Sequence, residues 1–360
     1  MCVAVEMIGG QQYFELRQTK EVRKIREFFD LRSSRFEGTK FNSPGMRGLE
    51  TTGVALRECL LPGGTLIPSW GVSVPRGCFI EVKLAVRIDR QWSSWFSIAR
   101  WACENPGDAP RTSYGNQHNW FGAIETDTYR NTTGKPVTHW RARVELHGDN
   151  ERLKLNWMTL QAADRPVLVQ ESEPLFPSIR PLPVPVESQY AYEGGHEWCA
   201  ALCAVGVLRY FDPNLGLRDP VGHAVRHLFD ERYEGTGNWS FIAAYLSARL
   251  EHLGKRAYVR NFSSLIDVEF RLSRGFPVIA SLAWDNTSPD PALHLPGGIA
   301  KTDGHLLVIT GIEHDQVVVM DPATTRADHS DVARAYPREH FERRWLDASN
   351  GAAIVTASLP

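Results

Sequence analysis

Between Pro174 and Val186 the chain reads PLFPSIRPLPVPV, with prolines at 174, 177, 181, 183 and 185. Each proline fixes φ and removes a backbone donor, so this stretch can be neither a helix nor a central strand. It is expected to run as an extended, semi-rigid connector. It divides 360 residues into two halves, each large enough for its own core. The boundary falls near residue 176, giving domains 1–176 and 177–360.

The two halves differ in pattern. Ile80–Ile88 (IEVKLAVRI) largely alternates apolar and charged residues, as a strand does when one sheet face is wet. Trp140–Leu146 and Leu153–Leu160 repeat the pattern, and Gly63–Gly64, Pro75–Arg76–Gly77 and Gly148–Asp149–Asn150 supply turns. Lys20–Arg35 carries apolar residues at helical spacing. The first half therefore reads as an all-β sandwich with a helical N-terminal segment. Seven tryptophans fall in it, from Trp70 to Trp157. Core packing is the main reading of these rings, with a carbohydrate or protein ligand for the β domain as the alternative.

The second half mixes helices and strands, an α+β pattern. Cys199–Phe211 is rich in Ala, Leu and Val and stops at Asp212–Pro213. Val221–Phe229 and Ser240–Leu253 read as further helices. Pro277–Ala283, His305–Ile312, Val317–Met320 and Ala352–Ala357 read as strands.

Composition narrows the function classes. Formal charge is −2, which does not suit a dedicated nucleic-acid binder. No run approaches the ~18 apolar residues of a membrane span. No basic, then apolar, leader opens the chain, so a cytoplasmic location is expected, or a secreted one if a leader has been removed. The six cysteines lack a C-x-x-C pair and are scattered, so free thiols are the default. His223 and His227 have a metal-ligand spacing, but the intervening Ala224, Val225 and Arg226 lack the metalloprotease glutamate. No metal or organic cofactor is implied.

Three residues of the second half converge on one chemistry. Cys199 opens a helix, where the positive end of the dipole favours a thiolate. His305 opens the strand HLLVITGI, and Asp321 closes the next one. The polar turn Glu313–His314–Asp315 between them fits an antiparallel hairpin, which makes His305 and Asp321 neighbours. Histidine can then take the thiol proton and return it to a leaving amine, while the carboxylate fixes the imidazole tautomer. Gln189 and the backbone N–H of Cys199 could together hold the oxyanion. Cys203 lies one turn after Cys199 and is read as packing.

These segments resemble the papain-like cysteine peptidases of the bacteriocin-processing type (cysteine peptidase family 39-like). The resemblance rests on Pro185–Gln189, Gly194–Cys199, Gly235–Trp239, Gly304–Val308 and Asp321–Ala323. Pro68–Trp70, Trp92–Ser93 and Thr126–Thr128 are similar to the β domain that precedes the peptidase in many bacterial members. The resemblance implies Cys199 as nucleophile, His305 as base, Asp321 as orienter and Gln189 as oxyanion donor. Trp198, Asn238, Trp239 and Gly304 are the candidate substrate-binding residues. One departure stands out: members usually follow the Trp-Cys pair with Ser-Pro-Thr-Ser, whereas Ala200–Ala201–Leu202–Cys203 follows here. The expected activity is thiol-dependent hydrolysis of a peptide or amide bond through an acyl-enzyme thioester. The alternatives are transfer of the acyl group to an amine, or a non-catalytic binding protein built on a degenerate peptidase domain.

Overall fold

A computed structural model describes residues 60–102, 110–148, 152–164, 174–185, 187–323 and 329–358. It also gives the backbone of strands Cys2–Ile8, Gln11–Arg17, Arg26–Asp30, Thr39–Ser43 and Met46–Thr52. The chain divides into two compact units, each discontinuous in sequence. One holds Lys24–Arg165 and Arg226–Ala248; the other holds Met1–Arg23, Pro166–Val225 and Arg249–Pro360.

The first unit contains two antiparallel sheets. Its long strands are β1 (Thr65–Ser73), β2 (Phe79–Ile88), β3 (Phe96–Trp101), β4 (His139–His147) and β5 (Lys154–Ala163). One sheet runs Thr112–Ser113, β3, β2, β4, Met46–Thr52, Thr39–Ser43. The other runs Gln117–Asn119, Gly122–Glu125, Thr128–Arg130, β1, β5, Arg26–Asp30. Alternation works as the sequence expects: Ile80, Val82, Leu84, Val86 and Ile88 of β2 are buried, with Glu81, Lys83 and Arg87 between them more exposed. Arg26–Asp30 departs from the expected N-terminal helix. It is a strand whose backbone pairs with Thr159–Ala162 at the edge of a sheet. Ladder hydrogen bonds have there overridden the helical spacing of the apolar residues. The rest of the expected helix lies outside the described residues.

Trp70, Trp101, Trp140 and Trp157 are buried, as the packing reading expects. Trp157 lies so close over β1 that a Cβ at Gly71 would meet its ring nitrogen at 2.1 Å, leaving room only for glycine. Trp92 and Trp95 are half-buried beneath the guanidinium groups of Arg141 and Arg143, at 3.6 and 4.4 Å from the ring centres.

Residues 226–248, which the sequence places in the second half, pack with this β unit. Ser240 Oγ donates to the Pro68 carbonyl (2.6 Å), and Phe241 meets Trp101 and Trp70 at centroid distances of 5.1 and 6.4 Å. That contact explains why Thr65–Gly71 of β1 is buried on both faces instead of alternating. Two buried carboxylates fix the segment. Asp127 accepts from the Ser240 N–H (3.0 Å), and Asp230 accepts from the Ser113 N–H (2.8 Å) and from Asn238 Nδ2 (2.8 Å).

Burial pushes the Asp127 carboxyl up from 3.8 to about 6, against the pull of its bonds to Ser240 and Thr128. The folded protein then binds this proton more tightly than the unfolded chain does. Stability therefore falls as pH rises between about 4 and 6, by roughly 3 kcal/mol from this group. Asp127→Asn keeps an acceptor for Ser240 and removes the charge. Thermal unfolding of the variant should lose this pH 4-to-6 decline; an unchanged slope would assign it to other groups.

The second unit is built on an antiparallel sheet with helices packed against it. Its elements are α1 (Cys199–Phe211), β6 (Lys255–Asn261), α2 (Leu265–Leu272), β7 (Val278–Asp285), β8 (Lys301–Glu313), β9 (Gln316–Met320), β10 (Ala333–Pro337), α3 (Arg338–Ser349) and β11 (Ala352–Ser358). The strand order is β6–β11–β7–β8–β9–β10. Every residue of α1 from Ala200 to Leu208 is buried, as suits a helix that is apolar all round. Ala200, Ala201, Leu202 and Cys203 thus serve packing. Gly206 lets the helix approach the sheet, since a Cβ there would lie 2.9 Å from the Met320 methyl.

The proline-rich connector is seated along β8. Ser178 and Ile179 pair with Glu313 and Ile312, and the Leu182 N–H donates to the Thr310 carbonyl (2.9 Å). Gly311 makes room, because a Cβ would press on Pro181 Cα at 2.7 Å. Upstream, Glu269 of α2 accepts from the Leu175 N–H (2.7 Å) and pairs with Arg338 at 2.6 Å. Among the described residues no helix is long and apolar enough to cross a membrane.

Candidate active site

The β8–β9 hairpin aligns two of the expected residues. Its register pairs Glu313 with Gln316 and Val308 with Met320, with an irregularity between Ile309 and Gly311. His305 lies near the start of the buried part of β8, and Asp321 immediately follows β9. His305 Nε2 lies 2.7 Å from Asp321 Oδ1, and both side chains are buried. Asp321 is saturated: Oδ1 also accepts from the Ala323 N–H (2.8 Å), and Oδ2 accepts from the Tyr336 hydroxyl (2.5 Å).

With Nε2 on the carboxylate, Nδ1 is the ring nitrogen left for a second partner. That partner is the Cys199 thiol, which hydrogen-bonds to the His305 side chain. Trp284 closes the other side of the imidazole edge-on, at 5.7 Å and 85°, with its own Nε1 donating to the Ile299 carbonyl (2.8 Å).

The chain before Cys199 explains its position. Gly194 adopts the left-handed conformation (φ 73°), and a short 3-10 turn, Gly195–Glu197, leads into the helix. A Cβ at Gly195 would stand 2.1 Å from the Gln189 carbonyl, so the turn can close only on glycine. Cys199 is the first helical residue, and no side chain caps the helix. As a residue Cys199 is half-buried, and positions Gly194 and Gly304 face open space.

Electrostatics follow from this arrangement. Burial alone would raise the Cys199 pKa. The hydrogen bond and charge of His305, with the N–H groups of Leu306 and Ala200, outweigh it and hold the thiol below its ordinary value. Burial alone would lower His305; the Asp321 charge and bond, and then the thiol, hold it well above the ordinary histidine range. Asp321 is held down to about 2: burial opposes this, but the His305 charge and bond, Tyr336 and Ala323 prevail. The result favours a thiolate beside an imidazolium. Cys203, buried one turn further along, goes the other way: burial, then Cys199 and Asp321, push it far above the thiol range. Of the two thiols on this helical face, only Cys199 is poised to react.

The remaining expected residues are placed as follows. Gln189 is buried in the turn Gln189–Ala191; its N–H donates to the Pro322 carbonyl (3.0 Å) and its Nε2 to the His196 carbonyl (2.6 Å). That places the amide against the residue three before Cys199, with its second N–H without a protein partner among the described residues. Trp198 is half-buried beside Tyr192, at 6.1 Å between ring centres. Gly304 is exposed next to His305. Asn238 and Trp239 belong to the other unit. Asn238 is fully buried there, its Oδ1 accepting from the Phe241 N–H (3.0 Å) and its Nδ2 bound to Asp230. Both ends of its amide hold the fold and neither is available to a ligand. Trp239 is half-buried.

Among the described residues, the acidic and imidazole groups that gather closely enough to hold a metal ion are Glu81, Glu145 and His147. Their carboxylates already meet Lys83 (2.7 Å) and Arg100 (2.9 Å). Among the described residues no third ligand joins His223 and His227. Tyr336 and Trp284 were not legible as site residues, because each lies far along the chain from Cys199 and sits in a strand of ordinary composition.

Two family profiles match the sequence: Peptidase C39 N-terminal domain over residues 22–161, and Peptidase_C39 like family over residues 181–353. Among solved structures, a protein described as a C39-like peptidase from Bacillus anthracis aligns at 16% identity over 50% of this chain and 98% of that one, with a TM-score of 0.34. The infectious bursal disease virus Gt strain structure aligns at 11% identity over 44% of this chain and 35% of that one, with a TM-score of 0.17. Comparison with curated proteins returns no significant match.

Proposed function

Because the chain belongs to the Peptidase_C39 like family and carries a Peptidase C39 N-terminal domain ahead of it, we propose that it hydrolyses a peptide or amide bond with Cys199 as the nucleophile. The observation that supports this most directly is the single imidazole of His305 held between a buried carboxylate and the thiol of the half-buried Cys199. In the first half-reaction His305 Nδ1 holds the thiol proton, and the thiolate sulfur attacks the substrate carbonyl carbon. The oxyanion is met by the backbone N–H of Cys199 and the second N–H of Gln189 Nε2. The imidazolium gives its proton to the departing amine as the C–N bond breaks, leaving a thioester on Cys199. In the second half-reaction His305 takes a proton from water. The hydroxide oxygen bonds to the acyl carbon, the C–S bond breaks, and the proton returns to sulfur. Asp321 keeps the Nε2 proton in place throughout.

The test is acylation of the sulfur itself. Protein incubated with a peptide pool and quenched in acid should carry acyl masses that fragmentation of the peptides assigns to Cys199, and to neither Cys78 nor Cys203. The released carboxylate should take up one labelled oxygen from ¹⁸O water. Products formed without any acyl adduct, or with the adduct on another residue, would overturn the assignment.

A further inference from the structure

We propose that Tyr336 is a positioning residue of this site, whose hydroxyl holds Asp321 as the hydrogen-bonded carboxylate that His305 requires. The inference rests on the role of Cys199 and His305 given above. Tyr336 sits on β10, the edge strand of the sheet, and is paired in register with Val317 of β9. Its side chain is fully buried, and its hydroxyl donates to Asp321 Oδ2 at 2.5 Å. The ring has little freedom. Gly297 approaches its edge, with the position of a Cβ 3.6 Å from Cε1, and Phe341 stacks at 6.4 Å and 26°.

The geometry gives the phenol a specific task. Asp321 has two oxygens, and a fully buried carboxylate oxygen without a donor is costly. Oδ1 serves His305 and Ala323; Oδ2 is served by Tyr336. Two donors anchored on different segments fix the plane of the carboxylate, and that plane sets where the imidazole points. The groups facing Asp321 are His305 from β8, Cys203 from α1, and Tyr336 and Arg334 from β10. Arg334 lies two residues before Tyr336 on the same strand. It is braced on the Gly297 carbonyl (3.1 Å) and on Asp331 (3.2 Å). It is the one cation among these groups apart from His305 itself, and it adds a positive field behind the phenol.

Tyr336→Phe removes only the hydroxyl. The readout is the rate of Cys199 alkylation by iodoacetamide against pH, followed by mass on the Cys199 peptide. The thiolate–imidazolium pair should form at higher pH in the variant, so the acid limb moves up. At pH 5 the rate, relative to its own plateau, should be roughly three- to tenfold lower than in wild type. A merely structural loss would scale the whole profile and leave the limb in place. In case the phenylalanine variant unfolds, 3-fluorotyrosine at position 336 keeps the shape, makes the phenol a stronger donor, and should move the limb down. Limbs unmoved in both proteins, or moved in the same direction, would overturn the proposal. A wild-type Cys199 that alkylates as slowly as an ordinary thiol at acid pH would instead sink the catalytic reading together with this one.

Discussion

Cys199→Ala is expected to reduce peptide or amide turnover by a factor of about 10⁴ or more, with the fold intact. Removing a nucleophile eliminates the covalent route and leaves only substrate binding and oxyanion stabilisation. The residue is half-buried, stands at the first position of the helix, and loses only its sulfur. The thermal midpoint should therefore hardly move, which separates chemistry from stability. Turnover is measured on any peptide that acylates the wild type. Activity within tenfold of wild type would mean that the chemistry belongs to another group. Cys203 cannot take over: it is buried, and its pKa is raised far above the thiol range. Cys199→Ala/Cys203→Ala should behave as the single variant does.

The second large effect is expected at Asp321. Asp321→Asn keeps the shape but turns an acceptor of three donors into a side chain with one carbonyl oxygen and one amide. If the amide nitrogen faces His305 Nε2, that nitrogen must become the acceptor, and the proton moves to Nδ1. The ring then cannot accept the thiol proton, and kcat/KM should fall by roughly 10²- to 10⁴-fold. The pH dependence has a definite sign. With the carboxylate gone, the imidazolium loses the charge that holds its pKa up, so the thiolate–imidazolium pair is populated over a narrower pH range. The alkylation plateau expected of wild type below pH 7 should shrink toward the profile of an unassisted thiol. A variant with wild-type rates at pH 5 and pH 7 would show that the His305–Asp321 bond is only structural.

Much of this site could be read in the sequence, because its parts are local. Cys199 starts a segment rich in Ala, Leu and Val that ends at Asp212–Pro213, and the helix occurs at Cys199–Phe211 as expected. His305 and Asp321 stand toward the open end of a hairpin with a short polar turn, and antiparallel pairing alone made them expected neighbours. What escaped was encoded by contacts distant along the chain. The strand Lys255–Asn261 (KRAYVRN) looks polar, yet Arg256 and Arg260 are buried, with guanidinium groups 5.7 and 5.5 Å from the Tyr258 and Phe262 rings. No hydropathy pattern reveals an arginine whose stem and charge are absorbed by aromatic faces. Tyr336 likewise gains its meaning only from a neighbouring strand. The spacing in Lys20–Arg35 misled for the opposite reason: at Arg26–Asp30, pairing with β5 settled the backbone where the local pattern pointed to a helix.

The inclusion of residues 226–248 in the β unit has a consequence for synthesis. The chain passes between the two units four times, after Arg23, Arg165, Val225 and Ala248. A ribosome finishes Arg165 long before it supplies Ser240 and Phe241, the residues that pack against Pro68, Trp70 and Trp101. At typical elongation rates the interval is on the order of ten seconds. During it the nascent β unit exposes the apolar ground around Trp70 and Trp101. Chaperone occupancy on stalled nascent chains should therefore fall only once the stall site lies beyond Ala248 by the length of the exit tunnel.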